Sequence, residues 1–420
     1  MSFFLRIALL CGIVLALDWY FFQALAPVLR NLTPTKRTVI TALYWCLTAI
    51  AVGIILLPLV LPYQHLPHFI RTYLFSFFII LGISKLIGSV FLLLGDGVRL
   101  GQWAWLKGSS LFASGVSADT ETVSFSRKQF FSNLALVAAA LPFTSFLYGM
   151  VRGAYNYKVH RVRVKLPKLP KEFEGFRIVH LSDIHIGSFS SSDPLERAFA
   201  LANAQKPDVI FFTGDLVNNL ASEAAPHLET LKKLSAPHGV FSTIGNHDYG
   251  DYVQWDNKEA KQANFENLKK THGLVGWKLL MNEHHVIEVG GAKLAVIGIE
   301  NWGAAMNFPK RGDLKRAYSG AETHSVKLLL SHDPSHWDAQ VRKEYRDIDI
   351  TFAGHTHGAQ FGIEIPGFRW SPVQYFYKQW AGLYRDGEQY LYVNRGLGFL
   401  GYPGRVGISP EITVMELHSA

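Results

Sequence analysis

Hydrophobic and polar positions follow two different rhythms along the chain. Over the first 151 residues, four stretches are almost continuously apolar: about Phe3–Leu25, Val39–Leu61, Phe69–Leu94 and Phe130–Val151. Each is close to or above the ~20 residues that a helix needs to cross a hydrocarbon core. An α-helical membrane domain of four predicted spans is therefore expected over 1–151. Asp18 and Lys85 interrupt the pattern. Ionisable groups at such depth pair, face a bundle interior or snorkel to the interface, and Lys85 is expected to snorkel or pack within the bundle.

After residue 172 the rhythm shortens. Buried strands are predicted at Arg177–Leu181, Asp208–Thr213, Gly239–Ile244, Val326–Leu330 and Ile348–Ala353, with later ones at Gly358–Ile365, Gln389–Asn394 and Glu411–Leu417. Helices are predicted from Asp193-Pro194 to about Gln205, over Ser222–Leu234 and over Asp256–His272, the first with Asp as N-cap and Pro at its first position. His285–Val289 and Lys293–Ile299 flank Gly290-Gly291, a hairpin signal. Strand–helix alternation followed by an antiparallel-rich tail predicts an α/β domain over 173–420, with sheets inside and helices outside. Between the domains, 152–172 is a basic linker. Its alternating stretch Val159–Leu166 is expected to form a charged edge strand, where Lys and Arg discourage further pairing.

Charge follows the same division. Residues 1–171 hold 17 Lys/Arg against 4 Asp/Glu, whereas the remainder holds 24 against 29. The basic excess thus flanks the apolar segments, where a membrane protein places it, and no nucleic acid partner is expected. Cys11 and Cys46 lie in apolar runs and form no metal motif.

Five of the predicted strands end in residues with oxygen or nitrogen donors. The segments are Asp183-Ile-His185, Gly214-Asp215, Gly245-Asn246-His247-Asp248, Ser331-His332-Asp333 and Gly354-His355-Thr356-His357. Such donors suit hard or borderline divalent metals. Side chains at the carboxyl ends of successive strands converge in the crevice of an α/β sheet. Singly each segment is weak, since an Asp-x-His at a strand end often caps a turn. Their joint occurrence in order points to a metal site.

These segments resemble the signature blocks of the calcineurin-like metallophosphoesterase superfamily, matched over about 173–420. The contexts Gly354–Gln360 and Asn394–Gly398, together with the spans, resemble its bacterial membrane-associated branch. The resemblance implies a four-layer α-β-β-α sandwich with a dinuclear centre. One metal would take Asp183, His185, Asp215 and His357; the other would take Asp215, Asn246, His332 and His355. His247 matches the family's transition-state histidine and Asp248 its orienting acid. The implied reaction is hydrolysis of a phosphate ester or pyrophosphate bond by hydroxide shared between two divalent ions, drawn from Mn, Fe, Zn, Co or Ni. Two departures bear on substrate. Ala359 follows Gly358, where many relatives carry a second glycine. Leu216–Asn219 lacks the Asp-Arg pair of the superfamily's protein phosphatases, which argues against a phosphoprotein.

A membrane-anchored phosphoesterase acting on a membrane-associated phosphate ester is the expected function, with the lipid bilayer as partner. A UDP-2,3-diacylglucosamine-type hydrolase of lipid A synthesis is the alternative if the site faces the cytoplasm. A scaffold or sensor with a structural metal centre is the alternative of another class. Basic residues nearly balance across the membrane. Ser126-Arg127-Lys128-Gln129-Phe130-Phe131 before an apolar run resembles a twin-arginine export signal, with Lys as the second basic residue. It leads to the expectation of an inner-membrane, multi-pass protein with its catalytic domain on the outer, periplasmic face. Two aromatic patches, Glu300–Gly303 and Phe368–Trp380, are candidates for substrate or headgroup contact, with simple packing as the alternative.

Overall fold

The computed structural model describes residues 3–61, 66, 70–110, 121–306 and 308–420. Phe69, Asp119 and the side chains of Glu121 and Arg127 lie outside the described residues. The chain divides into two compact units, Met1–Tyr148 and Gly149–Ala420.

The first unit is helical: α1 (Phe3–Arg30), α2 (Pro34–Leu56), α3 (Phe75–Ser110) and α4 (Glu121–Val151). All four are long and apolar enough to cross a membrane. Helix α3 runs on well past Leu94, to Ser110, through a stretch that holds four glycines but no proline. Asp18, Thr48 and Lys85 meet inside the bundle. The Lys85 ammonium is 2.8 Å from Asp18 Oδ1 and 4.6 Å from the centre of the Tyr44 ring, and the Thr48 hydroxyl donates to Asp18 Oδ2. Both charges are buried, so Lys85 packs within the bundle rather than snorkelling.

The second unit is built on two six-stranded sheets. The strands are β1 (Lys158–Leu166), β2 (Arg177–Leu181), β3 (Val209–Phe212), β4 (Val240–Ser242), β5 (Trp277–Leu279), β6 (Glu283–Val289), β7 (Ala292–Gly298), β8 (Lys327–Leu330), β9 (Ile350–Ala353), β10 (Ile363–Ile365), β11 (Phe368–Trp370), β12 (Gly382–Asp386), β13 (Gln389–Val393) and β14 (Glu411–Ser419). One sheet has the order β1-β14-β2-β3-β4-β5 and the other β12-β13-β9-β8-β7-β6. The charged strand β1 occupies a sheet edge, paired with β14. In each sheet the strands that precede the donor segments run parallel to one another, so their carboxyl ends open on the same side.

Facing side chains of the two sheets interlock in one core, with Ile178, Val209 and Phe211 of the first against Leu328, Ile350 and Phe352 of the second. The outer face of the first sheet is covered by α5 (Asp193–Asn203), α6 (Leu228–Leu231) and α7 (Lys258–Leu274), through Leu195, Phe199, Leu231 and Leu268. The outer face of the second packs against Leu314, Ala317, Trp337 and Val341 from short helical segments. The result is the four-layer α-β-β-α sandwich.

Three local expectations are corrected. Pro194 does sit at the start of α5, but the residue preceding the helix is Ser192 rather than Asp193. The first half of Ser222–Leu234 is a 3-10 turn, Ala221–His227, because Pro226 removes an amide from within it, and only Leu228–Leu231 is α-helical. The predicted strand Gly358–Ile365 begins as a turn, His357–Gln360, and only its end pairs, as β10 with β11.

Candidate metal centre

Asp183 and His185 follow β2, Asp215 follows β3, Asn246–Asp248 follow β4, His332 follows β8, and His355 and His357 follow β9. A strand's alternation would send neighbouring side chains to opposite faces. The chain escapes this by entering the left-handed region at Asp183 (φ 52°), His185 (46°), Asp215 (57°), His355 (69°) and His357 (50°). Each such residue costs about 1–2 kcal/mol. Cross-links between the loops offset the strain. The Asp183 carboxylate accepts the His355 amide at 3.0 Å, Asp215 Oδ1 accepts the His247 amide at 2.8 Å, and the His185 amide donates to the Asp215 carbonyl at 3.0 Å. Close approach demands glycine at two points: a Cβ on Gly245 would stand 2.2 Å from Asp215 Oδ1, and one on Gly354 2.0 Å from Ser182 Oγ.

The side chains gather into two groups, Asp183/His185/His357 and Asp215/His332/His355. In the first, His357 Nε2 lies 3.0 Å from His185 Nε2 and 3.3 Å from Asp183 Oδ1. In the second, His332 Nε2 lies 3.2 Å from Asp215 Oδ2, 3.1 Å from Asn246 Oδ1 and 3.3 Å from His355 Nδ1. Asp215 Oδ2 is also 3.5 Å from His185 Nε2, so one oxygen faces both groups. Donors bound at about 2.0–2.2 Å to one ion stand about 3 Å apart. The observed spacings therefore fit cations, and the seven sequence-selected side chains come together as two sets sharing Asp215.

Burial and charge compete across the site. Burial works against a charged His332, yet the Asp215 carboxylate pushes it up to about 10. Burial pushes Asp215 and Asp183 upward, but His332 holds Asp215 and His357 holds Asp183 well below the usual carboxylate range. Burial lowers His185 and His355, favouring neutral rings with a free lone pair.

His247 and Asp248 find separate partners. His247 Nδ1 is 2.8 Å from the Asn218 carbonyl oxygen, and its ring lies 4.4 Å from that of Tyr252. The Asp248 carboxylate instead accepts the backbone amides of Asp215, Leu216 and Gly245 at 2.9 Å and of Val217 at 3.2 Å. It therefore fastens the β3 and β4 loops together, while a backbone carbonyl orients His247. Burial and the Asp215 charge push Asp248 up to about 7, and the Gly245 and Val217 amides pull it down.

Three further neighbours were not among the expected ligands or catalytic residues. His355 Nε2 is 2.8 Å from the Tyr377 hydroxyl, which donates to Asp333 at 3.2 Å. This leaves Nδ1 as the lone-pair nitrogen facing Asn246 at 2.8 Å. The buried Arg405 donates to the Gly396 and Gly398 carbonyls, and its Nη2 is 3.3 Å from His357 Nδ1. Phe308 stands edge-on to His355 at 4.8 Å. Of the two aromatic patches, Trp302 packs over His336 at 4.6 Å, while Glu300 accepts from Tyr249 and Asn282 and braces the domain. Ala359 is exposed in the left-handed region, φ 52°.

Facing sheets with two His/Asp donor groups at their strand ends, preceded by four apolar helices, define a metallophosphoesterase with a membrane domain. Residues 176–359 match the calcineurin-like phosphoesterase family, and residues 1–154 match a probable calcineurin-like phosphoesterase transmembrane domain. Over 363 residues the chain is 31% identical to a zebrafish (Danio rerio) transmembrane protein with metallophosphoesterase domain, covering 84% of this chain and 75% of that one. It is 29% identical to the Bacillus subtilis metallophosphoesterase YkuE, covering 70% and 98%, and 28% identical to the Escherichia coli phosphodiesterase YaeI, covering 58% and 82%. The chain belongs to the calcineurin-like phosphoesterase family and is a membrane protein.

Proposed function

We propose that this metallophosphoesterase hydrolyses a phosphate ester or pyrophosphate carried at the membrane, using two divalent ions. Asp183, His185, Asp215 and His357 would hold one ion; Asp215, Asn246, His332 and His355 would hold the other. The observation that carries this reading is Asp215 Oδ2, 3.5 Å from His185 Nε2 and 3.2 Å from His332 Nε2. Bound there, such a pair supplies Lewis acidity toward phosphoryl oxygens and lowers the pKa of water. Mn, Fe, Zn, Co and Ni all suit the mixed carboxylate, amide and imidazole donors.

The chain's own residues set the rest of the chemistry. His247 donates Nδ1–H to the Asn218 carbonyl, which leaves Nε2 to carry a proton toward a leaving oxygen. Asp248 keeps the two loops that bear Asp215 and Asn246 in register. Tyr377 and Asp333 hold His355 in one tautomer. A non-ligand histidine supported in this way favours catalysis over a purely structural metal centre.

The four spans and the short connection Arg152–Tyr157 support a membrane-associated substrate. We place the catalytic unit on the periplasmic face of the inner membrane, supported by the Ser126–Phe131 pattern. Labelling of an engineered cysteine at Ser419 in intact cells with a membrane-impermeant maleimide tests this. Labelling from outside supports it; protection until lysis contradicts it and favours the nucleotide-lipid hydrolase. Turnover of bis-nitrophenyl phosphate, dependent on added divalent metal and lost in Asp215→Ala, tests the reaction itself.

A further inference from the structure

The hairpin β10–β11 turns its apolar face outward. Register pairs Ile363 with Trp370 and Ile365 with Phe368 on one face, and Glu364 with Arg369 on the other. A two-stranded hairpin ordinarily buries its apolar side and leaves charge to water. Here the charged side is the one that contacts the domain, although Glu364 and Arg369 stay partly open to solvent. Glu364 forms an ion pair with the buried Arg395, and Arg369 donates to the Ala381 carbonyl at 2.6 Å while its guanidinium lies 4.9 Å from the Trp380 ring. The outward side chains are left open: Ile363 is 47% exposed, Ile365 58% and Phe368 52%. The next turn adds Tyr375 at 72% and Phe376 at 66%. Five large apolar or aromatic groups exposed in one short segment are of the kind that mark an interaction surface.

We infer that this face, Ile363–Phe376, seats in the interfacial layer of the bilayer and presents lipid-borne phosphate esters to the metal centre. Three observations select lipid as the occupant. The same chain carries four candidate membrane spans, so a bilayer is the surface it always meets. The patch combines Trp, Tyr and Phe with aliphatic residues and the exposed Lys378, the composition of a headgroup-level belt. Glu364 is the sole carboxylate between Ile363 and Trp380, and its charge is matched by Arg395, so no unpaired anion of this segment opposes phosphate headgroups.

The patch is also tied to the site. The chain runs from the hairpin through the turn Pro372–Tyr375 to Tyr377, whose hydroxyl meets His355 and Asp333. A stretch seated at headgroup depth thus continues directly into a residue that orients a candidate ligand. The substrate class deepens the proposed function and rests on it; the seating of the hairpin does not.

The test uses the full chain in phosphatidylcholine nanodiscs, with Cys11 and Cys46 replaced by Ser. A single cysteine at position 368 (Phe368→Cys) carries an environment-sensitive fluorophore, and a second protein carries it at the exposed Ser419. Blue-shifted emission at 368, quenched by doxyl-labelled lipid, with neither change at 419, is expected. Water-like emission at 368 overturns the seating. A blue shift without lipid quenching also overturns it, because protein then covers the face. The double variant Phe368→Asp/Phe376→Asp should raise KM about tenfold for a phospholipid ester in nanodiscs, while kcat/KM for a soluble nitrophenyl ester stays unchanged. Equal effects on both esters, or on neither, overturn the lipid substrate class alone. If the unaltered protein turns over neither ester, the phosphoesterase reading fails, and the fluorophore still decides the seating.

Discussion

His247 Nδ1 and the Asn218 carbonyl oxygen are 2.8 Å apart, whereas the adjacent Asp248 spends its carboxylate on four backbone amides. The neighbours His247 and Asp248 therefore have separable tasks. His247→Ala should retain both metals in elemental analysis and lose turnover by ~10²–10⁴-fold, the usual worth of general acid assistance. The loss should shrink for nitrophenol, which leaves without a proton.

Asp248→Asn should behave differently. An amide side chain keeps one acceptor oxygen in place of two, so the loops after β3 and β4 lose part of their fastening. Buried charge-assisted bonds are worth ~1.5–3 kcal/mol each. The expected outcome is a lower thermal midpoint together with metal loss, read by differential scanning fluorimetry with and without added Mn. Unchanged stability with selectively lost turnover would return Asp248 to the role of orienting His247.

Tyr377→Phe removes the acceptor of His355 Nε2–H and frees that ring to change tautomer. Metal affinity at one of the two positions should fall by ~10–100-fold, the range for lost partners of ligating histidines, with the other position unaffected. Chelator competition followed by metal analysis separates the two.

Glu411 is buried against Arg395, with Nη1 2.5 Å from Oε2, and Tyr392 and Thr413 also donate to it. Burial pushes its carboxyl upward, but Arg395 and the donors hold it at about 2. A lowered folded-state pKa contributes stability above the ordinary carboxylate range, and that stability is lost as pH falls toward about 2. Glu411→Gln should cost ~3–5 kcal/mol at neutral pH by stranding Arg395, and should flatten the acid side of the unfolding profile. An unchanged profile would show that the pair does not set acid stability.

Much of the architecture was legible because burial leaves a plain trace. Val209–Phe212 is apolar at every position and Ile350–Ala353 at all but Thr351, and each run lies buried inside one of the two sheets. The donor segments were legible because Asp, Asn and His at strand ends are chemically conspicuous. What orients them was not. The partner of His247 is a backbone carbonyl, which any residue at 218 would offer. Tyr377 lies in an aromatic-rich run whose members differ only by where the fold points them: Tyr377 inward at 5% exposure, Tyr375 outward at 72%. The outward apolar face of β10–β11 was hidden too, since alternation in a strand tells which residues share a face but not which face meets the protein.

The shared position of Asp215 Oδ2 between the two donor groups is the centre of the account, and metal stoichiometry tests it most directly. Elemental analysis of the full chain, purified without chelator, should find two divalent ions per chain, and Asp215→Ala should lose both ions and turnover together. One ion or none, with turnover intact, would contradict it.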